Sequence, residues 1–145
     1  MKNFYVCSYG GCGSYMLCDQ LRKYGNVEHI HSRNPPLELE YIGDKGGGTS
    51  YCEWFNGIKI PENELNDYYV IYLYRNPIKS ILSRFHMINH LIHIQCNNFY
   101  TTIDDVINTG IDLYGIKEFY NNYTNISIRR NYKIYCVKYD DIFNK

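Results

Sequence analysis

Apolar positions fall along this chain in two rhythms: short, nearly continuous runs and longer stretches at helical spacing. Residues 3–9 (NFYVCSY) alternate weakly and are rich in Phe, Tyr, Val and Cys, which predicts a short buried strand. From Tyr15 the pattern changes. Met16, Leu17, Gln20, Leu21 and Tyr24 recur at helical spacing, and Gly25 closes the run. Residues 26–31 (NVEHIH) predict a second strand, and Asn34-Pro35-Pro36 then stops regular structure. Residues 34–66 read as a long loop punctuated by glycines, with a short hairpin around residues 51–59. The run YYVIYLY at Tyr68–Tyr74 is apolar throughout and β-prone, as an interior strand of a parallel sheet would be. After Pro77, residues 78–95 predict a helix, residues 101–108 and 111–121 two more, and residues 132–139 (YKIYCVKY) a last strand. Strands separated by helical segments predict one α/β domain over residues 1–145, in three α/β/α layers around a mainly parallel sheet.

Charge narrows the function classes. Lys plus Arg is 15 and Asp plus Glu is 15, giving a formal charge of zero, so bulk binding of nucleic acid is not expected. The six cysteines form no CxxC pair, and Cys7, Cys18 and Cys136 fall inside apolar runs. They read as reduced buried thiols, and a cytoplasmic setting is expected. No signal peptide or 18-residue apolar run is seen, so no membrane partner is expected.

Chemistry first enters at residues 10–15, GGCGSY. Gly10, Gly11 and Gly13, followed by Ser14 and Tyr15 where the helical pattern starts, permit a tight turn whose backbone N–H groups converge. The first helical turn adds unpaired donors and the positive end of the helix dipole. Two readings fit: a phosphate cradle using Gly10, Gly11, Cys12, Gly13, Ser14 and Tyr15, or a tight turn with no ligand. The full Walker pattern is not met, because no Lys follows the last glycine, and neither is G-x-G-x-x-G.

A second stretch, VIYLYRNPIKSILSRF at residues 70–85, sets Arg75 at the C-terminal end of the apolar strand, where open α/β sheets bind ligands. A guanidinium offers a planar fork for phosphate oxygens, and Ser83 follows eight residues later. The plainer reading makes Arg75 a structural ion-pair partner. With these residues the chain resembles the sulfotransferases that use 3′-phosphoadenosine 5′-phosphosulfate (PAPS). In that family a strand-loop-helix cradles the 5′-phosphosulfate, and a strand ending in Arg-Asn/Asp-Pro with a later Ser holds the 3′-phosphate. RNPIKSILSRF matches the second motif through Arg75 and Ser83. VKYDDIF, residues 137–143, resembles the family's V-x-Y-E-D-L segment. The resemblance implies a P-loop NTPase-like sulfotransferase fold and PAPS as co-substrate without a metal. It also implies sulfuryl transfer to a hydroxyl or amine of a carbohydrate, protein or small molecule.

Two departures accompany it. The family's loop commonly reads Pro-Lys/Arg-Ser-Gly-Thr, and here Gly11 stands where the basic residue stands. Family members also usually continue for about a hundred residues more, so the C-terminal part of the usual domain is expected to be absent here. Sulfuryl transfer needs a base for the acceptor proton. His31, then His29, are the candidates, at the end of the second strand and on one side by alternation. Each also reads as an ordinary structural histidine. His86, His90 and His93 share a helix face and read as an outward polar stripe rather than a metal site. Trp54 reads as a loop anchor or a stacking platform. A silent nucleotide-binding or interaction module of the same fold is the second functional reading. A P-loop kinase, lacking the Walker lysine, is the third.

Overall fold

The computed structural model describes residues 1–9, 13–42, 57–86, 104, 108 and 115–143. Four strands, β1 (Lys2–Ser8), β2 (Gly25–Ile30), β3 (Tyr68–Tyr74) and β4 (Ile134–Lys138), form one sheet in the order β2-β1-β3-β4. All three pairings are parallel. Among the described residues, α1 (Ser14–Leu21), α2 (Pro77–His86), α3 (Ile116–Thr124) and the short α4 (Tyr139–Phe143) accompany them. The α/β class and parallel sheet expected from the sequence are therefore observed. Among the described residues no helix is long and apolar enough to cross a membrane.

Register decides which side chains share a face. Val6 pairs with His29 on one side and Ile71 on the other, while Cys7 pairs with Ile30 and Tyr72. The Val6 side is covered by α1, whose Tyr15 ring meets His29 at 5.5 Å. The opposite side is covered by α3: Phe119 meets Tyr9 edge-on at 5.7 Å, and Tyr123 stacks on Tyr72 at 4.7 Å. Helices thus lie on both faces. The α3 face carries the larger core, with Tyr5, Cys7, Tyr9, Ile30, Leu39, Ile60, Val70, Tyr72, Phe119 and Tyr123 in one buried cluster. Ring pairs of this kind add about 0.5–1.5 kcal/mol each beyond the area they bury.

The strand at Tyr68–Tyr74 falls where its apolar run predicts. Elsewhere the ends move. Gly25 opens β2 rather than closing the preceding helix, because a Cβ there would lie 2.2 Å from the Lys2 carbonyl oxygen across the strand pair. The stretch expected to be loop holds a 3-10 helix at Glu62–Asp67. It also holds an antiparallel clasp, in which Tyr41 N–H donates to the Ile58 carbonyl and Ile60 N–H to the Leu39 carbonyl, both at 2.9 Å. Of the hairpin expected at residues 51–59, Lys59 bridges Glu40, and residues 51–56 lie outside the described residues. α3 runs to Thr124, and β4 ends at Lys138 because Tyr139 already belongs to α4. Asp104 and Asn108 are helical, as expected; residues 87–103 and 111–114 lie outside the described residues.

Phe119 is 2 % exposed and its ring touches Tyr9, Tyr72 and Tyr123. Phe119→Ala is expected to cost about 3–5 kcal/mol, a large share of a typical total of about 5–15, read as a lowered urea midpoint at unchanged slope.

Candidate functional site at the carboxyl ends of the strands

The sheet order creates a crevice. The chain leaves β1 for β2 on one side and reaches β3 on the other, so connections diverge between the C-terminal ends of β1 and β3. Ligands of open parallel sheets bind at such a switch point. Of the predicted cradle, Gly10, Gly11 and Cys12 lie outside the described residues. Gly13 caps α1 in the left-handed region (φ 73°, ψ 26°), and among the described residues no side chain caps that first turn. A glycine cap leaves first-turn N–H groups of α1 without side-chain acceptors, which suits an anion. Ser14 is buried and Tyr15 is exposed.

Arg75 leaves β3 at the same level. Asn76 ends the strand by capping α2: its Oδ1 accepts the N–H of Ile78 at 2.9 Å and of Lys79 at 3.3 Å. Pro77 follows at the first helical position, where its missing N–H costs nothing. Helix α2 thereby satisfies its own first turn. The Arg75 guanidinium lies over the Tyr139 ring, with Cζ 4.8 Å from the centroid. That ring also abuts the glycine turn, since a Cβ on Gly13 would lie 2.5 Å from Tyr139 Cε2. Gly13, Arg75 and Tyr139, one from each of the three matched motifs, thus meet around one phenol ring.

Beside them opens a cleft of about 700 Å³. Tyr9, Tyr72, Tyr74 and Tyr120 supply ring surface, and Arg75, Lys79, Lys117 and Lys138 supply positive charge against Asp140. Burial, together with the nearby Tyr120 phenol, Cys136 thiol and Asp141 carboxylate, pushes the Tyr74 phenol up, so it stays a donor at neutral pH. Among the described residues the cleft is lined by four cations and one carboxylate beside aromatic rings, which favours a ligand that joins a flat ring to anionic groups. Ser80, fully buried, lines this cleft; Ser83, a helical turn farther along α2, is half-buried and is not among its lining residues.

On the other side of β1 the two predicted histidines are together. His29 and His31 have ring centroids 4.3 Å apart, as strand alternation requires. His29 Nε2 lies 3.4 Å from the buried Ser8 hydroxyl, and His31 Nδ1 lies 2.8 Å from the Ser8 carbonyl. A carbonyl only accepts, so His31 Nδ1 carries a proton and the neutral ring keeps its lone pair on Nε2. The residues after β2 are strapped to α3, where Tyr123 Oη donates to the Ser32 carbonyl at 2.7 Å and Asn122 Nδ2 to the Arg33 carbonyl at 3.0 Å. Burial raises the Cys7 thiol far above its usual range, which keeps it an inert core thiol.

The sequence reading did not single out Tyr139, Ser80, Lys117, Lys138 or Ser8 as site residues. Tyr139 stood inside a quoted motif, and its pairing with Gly13 across the fold has no local signal. The lysines and Ser80 carry none beyond residue type. Trp54, His90 and His93 lie outside the described residues. Comparison of the chain with protein-family models, with curated proteins and with solved structures finds no match.

Because Gly13 has positive φ and touches Tyr139, Gly13→Ala should cost about 1–2 kcal/mol of backbone strain plus the displacement of the ring. In a Tyr139→Ala background only the backbone part should remain. A double-mutant cycle by urea unfolding is expected to give a coupling of about 1 kcal/mol; additivity would mean that the ring does not pack on the turn.

Proposed function

We propose that this chain is a PAPS-dependent sulfotransferase-like domain of the P-loop type, transferring a sulfuryl group to a hydroxyl or amine acceptor. The observation that carries the reading is the meeting of Gly13, Arg75 and Tyr139 at the β1/β3 switch point. Three segments far apart in sequence, each similar to one family motif, share one place in the fold. The adjoining cleft supports it, with rings for a purine and cations for phosphate.

In this reading the turn ending at Gly13 and Ser14 holds the 5′-phosphosulfate end of the donor. Arg75 holds the 3′-phosphate, with Ser83, the family-spaced serine, or Ser80, which lines the cleft. The acceptor oxygen or nitrogen bonds to sulfur as the bond from sulfur to the donor's bridging oxygen breaks. The acceptor proton passes to the lone pair on His31 Nε2, or to His29, and 3′-phosphoadenosine 5′-phosphate departs with the bonding electrons. Lys79 and Lys138, which line the cleft with Arg75, are candidates to replace the basic residue lost at Gly11. A cytoplasmic setting belongs to the same proposal. The second reading, a silent nucleotide-binding module, is favoured by Gly11 alone: without a loop cation the donor binds and does not turn over.

Calorimetric titration with 3′-phosphoadenosine 5′-phosphate beside ATP tests the shared donor site. Micromolar binding that prefers the 3′-phosphate is expected, weakened about 10- to 100-fold in Arg75→Ala, the worth of one charged hydrogen-bonding pair. Equal binding of ATP, or no effect of the substitution, rules the reading out.

A further inference from the structure

We propose that the amino ends of β1, β2 and β3 carry a second site, a tyrosine-walled pocket for a methylated organic ammonium ion. The inference does not rest on the sulfotransferase reading, whose cleft lies at the other ends of the strands. Register gathers the residues. Asn3 and Tyr5 of β1 pair with Asn26 and Glu28 of β2, and Asn3 also pairs with Tyr68 at the start of β3. Strand period therefore sets all five on one side of the sheet. Tyr41, held by its N–H bond to the Ile58 carbonyl, joins them around a pocket of about 310 Å³. Its walls are set edge to face: Tyr68 meets Tyr5 at 5.5 Å and Tyr41 at 6.2 Å, with planes at 66° and 71°.

Charge decides what such walls hold. Among the described residues the pocket lining includes the carboxylate of Glu28 and no Lys or Arg. A second carboxylate, Glu64, accepts the hydroxyl of Tyr41. Burial first, and then the Glu64 and Asp67 carboxylates, raise the Tyr68 phenol, so the phenol stays neutral in a negative field. Neutral ring faces beside negative charge attract a cation.

The kind of cation follows from the polar groups. The Tyr41 hydroxyl is spent on Glu64, and Tyr5 has a backbone hydrogen bond with Ile42. A bare ammonium needs acceptors for its N–H groups, whereas a methylated one spreads its charge over C–H surface and is satisfied by ring faces. Calcium and magnesium need about six oxygen ligands, and one lining carboxylate is too few.

The test is titration of the full chain with choline chloride and with dimethylbutanol, its uncharged carbon isostere, at constant ionic strength. Tyrosine ring resonances are the readout. A few partly exposed cation–ring contacts predict a choline dissociation constant on the order of 1–10 mM, at least about tenfold tighter than the isostere. Signals of Tyr5, Tyr41 and Tyr68 should shift together. Tyr41→Leu, which keeps apolar bulk and removes a ring, should weaken choline binding about fivefold, while Tyr41→Phe should stay within about twofold. Equal binding of choline and its isostere, or choline binding that leaves all three rings unshifted, overturns the proposal. Both results are read on the unaltered chain and stand even if a variant fails to fold. Neither bears on whether 3′-phosphoadenosine 5′-phosphate binds.

Discussion

The backbone pairing of β1 with β3 is the constraint on which the site depends. Asn3 to Ser8 run in register with Tyr68 to Leu73, so the two strands stop at the same level and release the glycine turn and Arg75 side by side. A slip of one residue would exchange the faces of a strand. His29's partner and Tyr72's neighbour would change places, and the α1 and α3 layers would each meet the wrong side chains. Burial guards the register, since Val6, Cys7, Val70 and Leu73 are all fully buried from opposite faces of the sheet. Chemistry at the carboxyl ends therefore inherits its precision from apolar packing well below it.

How much of this could be read from the residues follows from the range of each interaction. The run at Tyr68–Tyr74 is a strand to the residue, because seven apolar β-prone positions leave little choice. Asn76-Pro77 announces the start of α2, and the cap is there. The common orientation of His29 and His31 also follows from strand period alone. What stayed hidden is set across the fold. Gly25 looked like a helix terminator, and its place at the head of β2 is decided by the Lys2 carbonyl opposite. The contact of Tyr139 with Gly13 spans nearly the whole chain and leaves no trace in either local pattern. Ser83 matches a motif by spacing, whereas the side chain at the cleft is Ser80, because helical phase and not residue count decides which serine turns inward.

The absence of a basic residue at Gly11 is an electrostatic question with a distance scale. At an effective dielectric of about 20, a unit charge about 4 Å from a developing negative charge contributes about 4 kcal/mol, and at about 8 Å about 2. Transition-state stabilisation thus falls by about 2 kcal/mol when the cation retreats by that much, roughly a thirtyfold loss of rate. Among the described residues the cleft carries Arg75, Lys79, Lys117 and Lys138 against the carboxylate of Asp140, positive charge placed outside the turn itself. In the proposed reading such a site is weakened rather than emptied of its electrostatic function. In the proposed sulfotransferase reading, donor binding and donor turnover would then separate, because ground-state anions are held by the summed field while the departing oxygen needs a cation close by.

Tyrosine links the core to the segment that follows β2. A buried phenol costs stability unless its hydroxyl is bonded, so a core built from tyrosines must direct each hydroxyl to an acceptor. For two of these tyrosines the acceptors are carbonyls of the segment that follows β2. Tyr123, stacked on Tyr72, donates to Ser32, and Tyr132 donates to Pro36. Burial pushes the Tyr132 phenol well above its usual range, so the donated proton stays in place throughout the neutral range. The same rings that fill the α3 face thereby tie down the chain on both sides of Arg33, and His31 sits one residue ahead of the first tie. Phenylalanine in these positions would fill the core as well and remove two ties on that segment, leaving the Asn122 bond to the Arg33 carbonyl and the His31 bond to Ser8 to hold it.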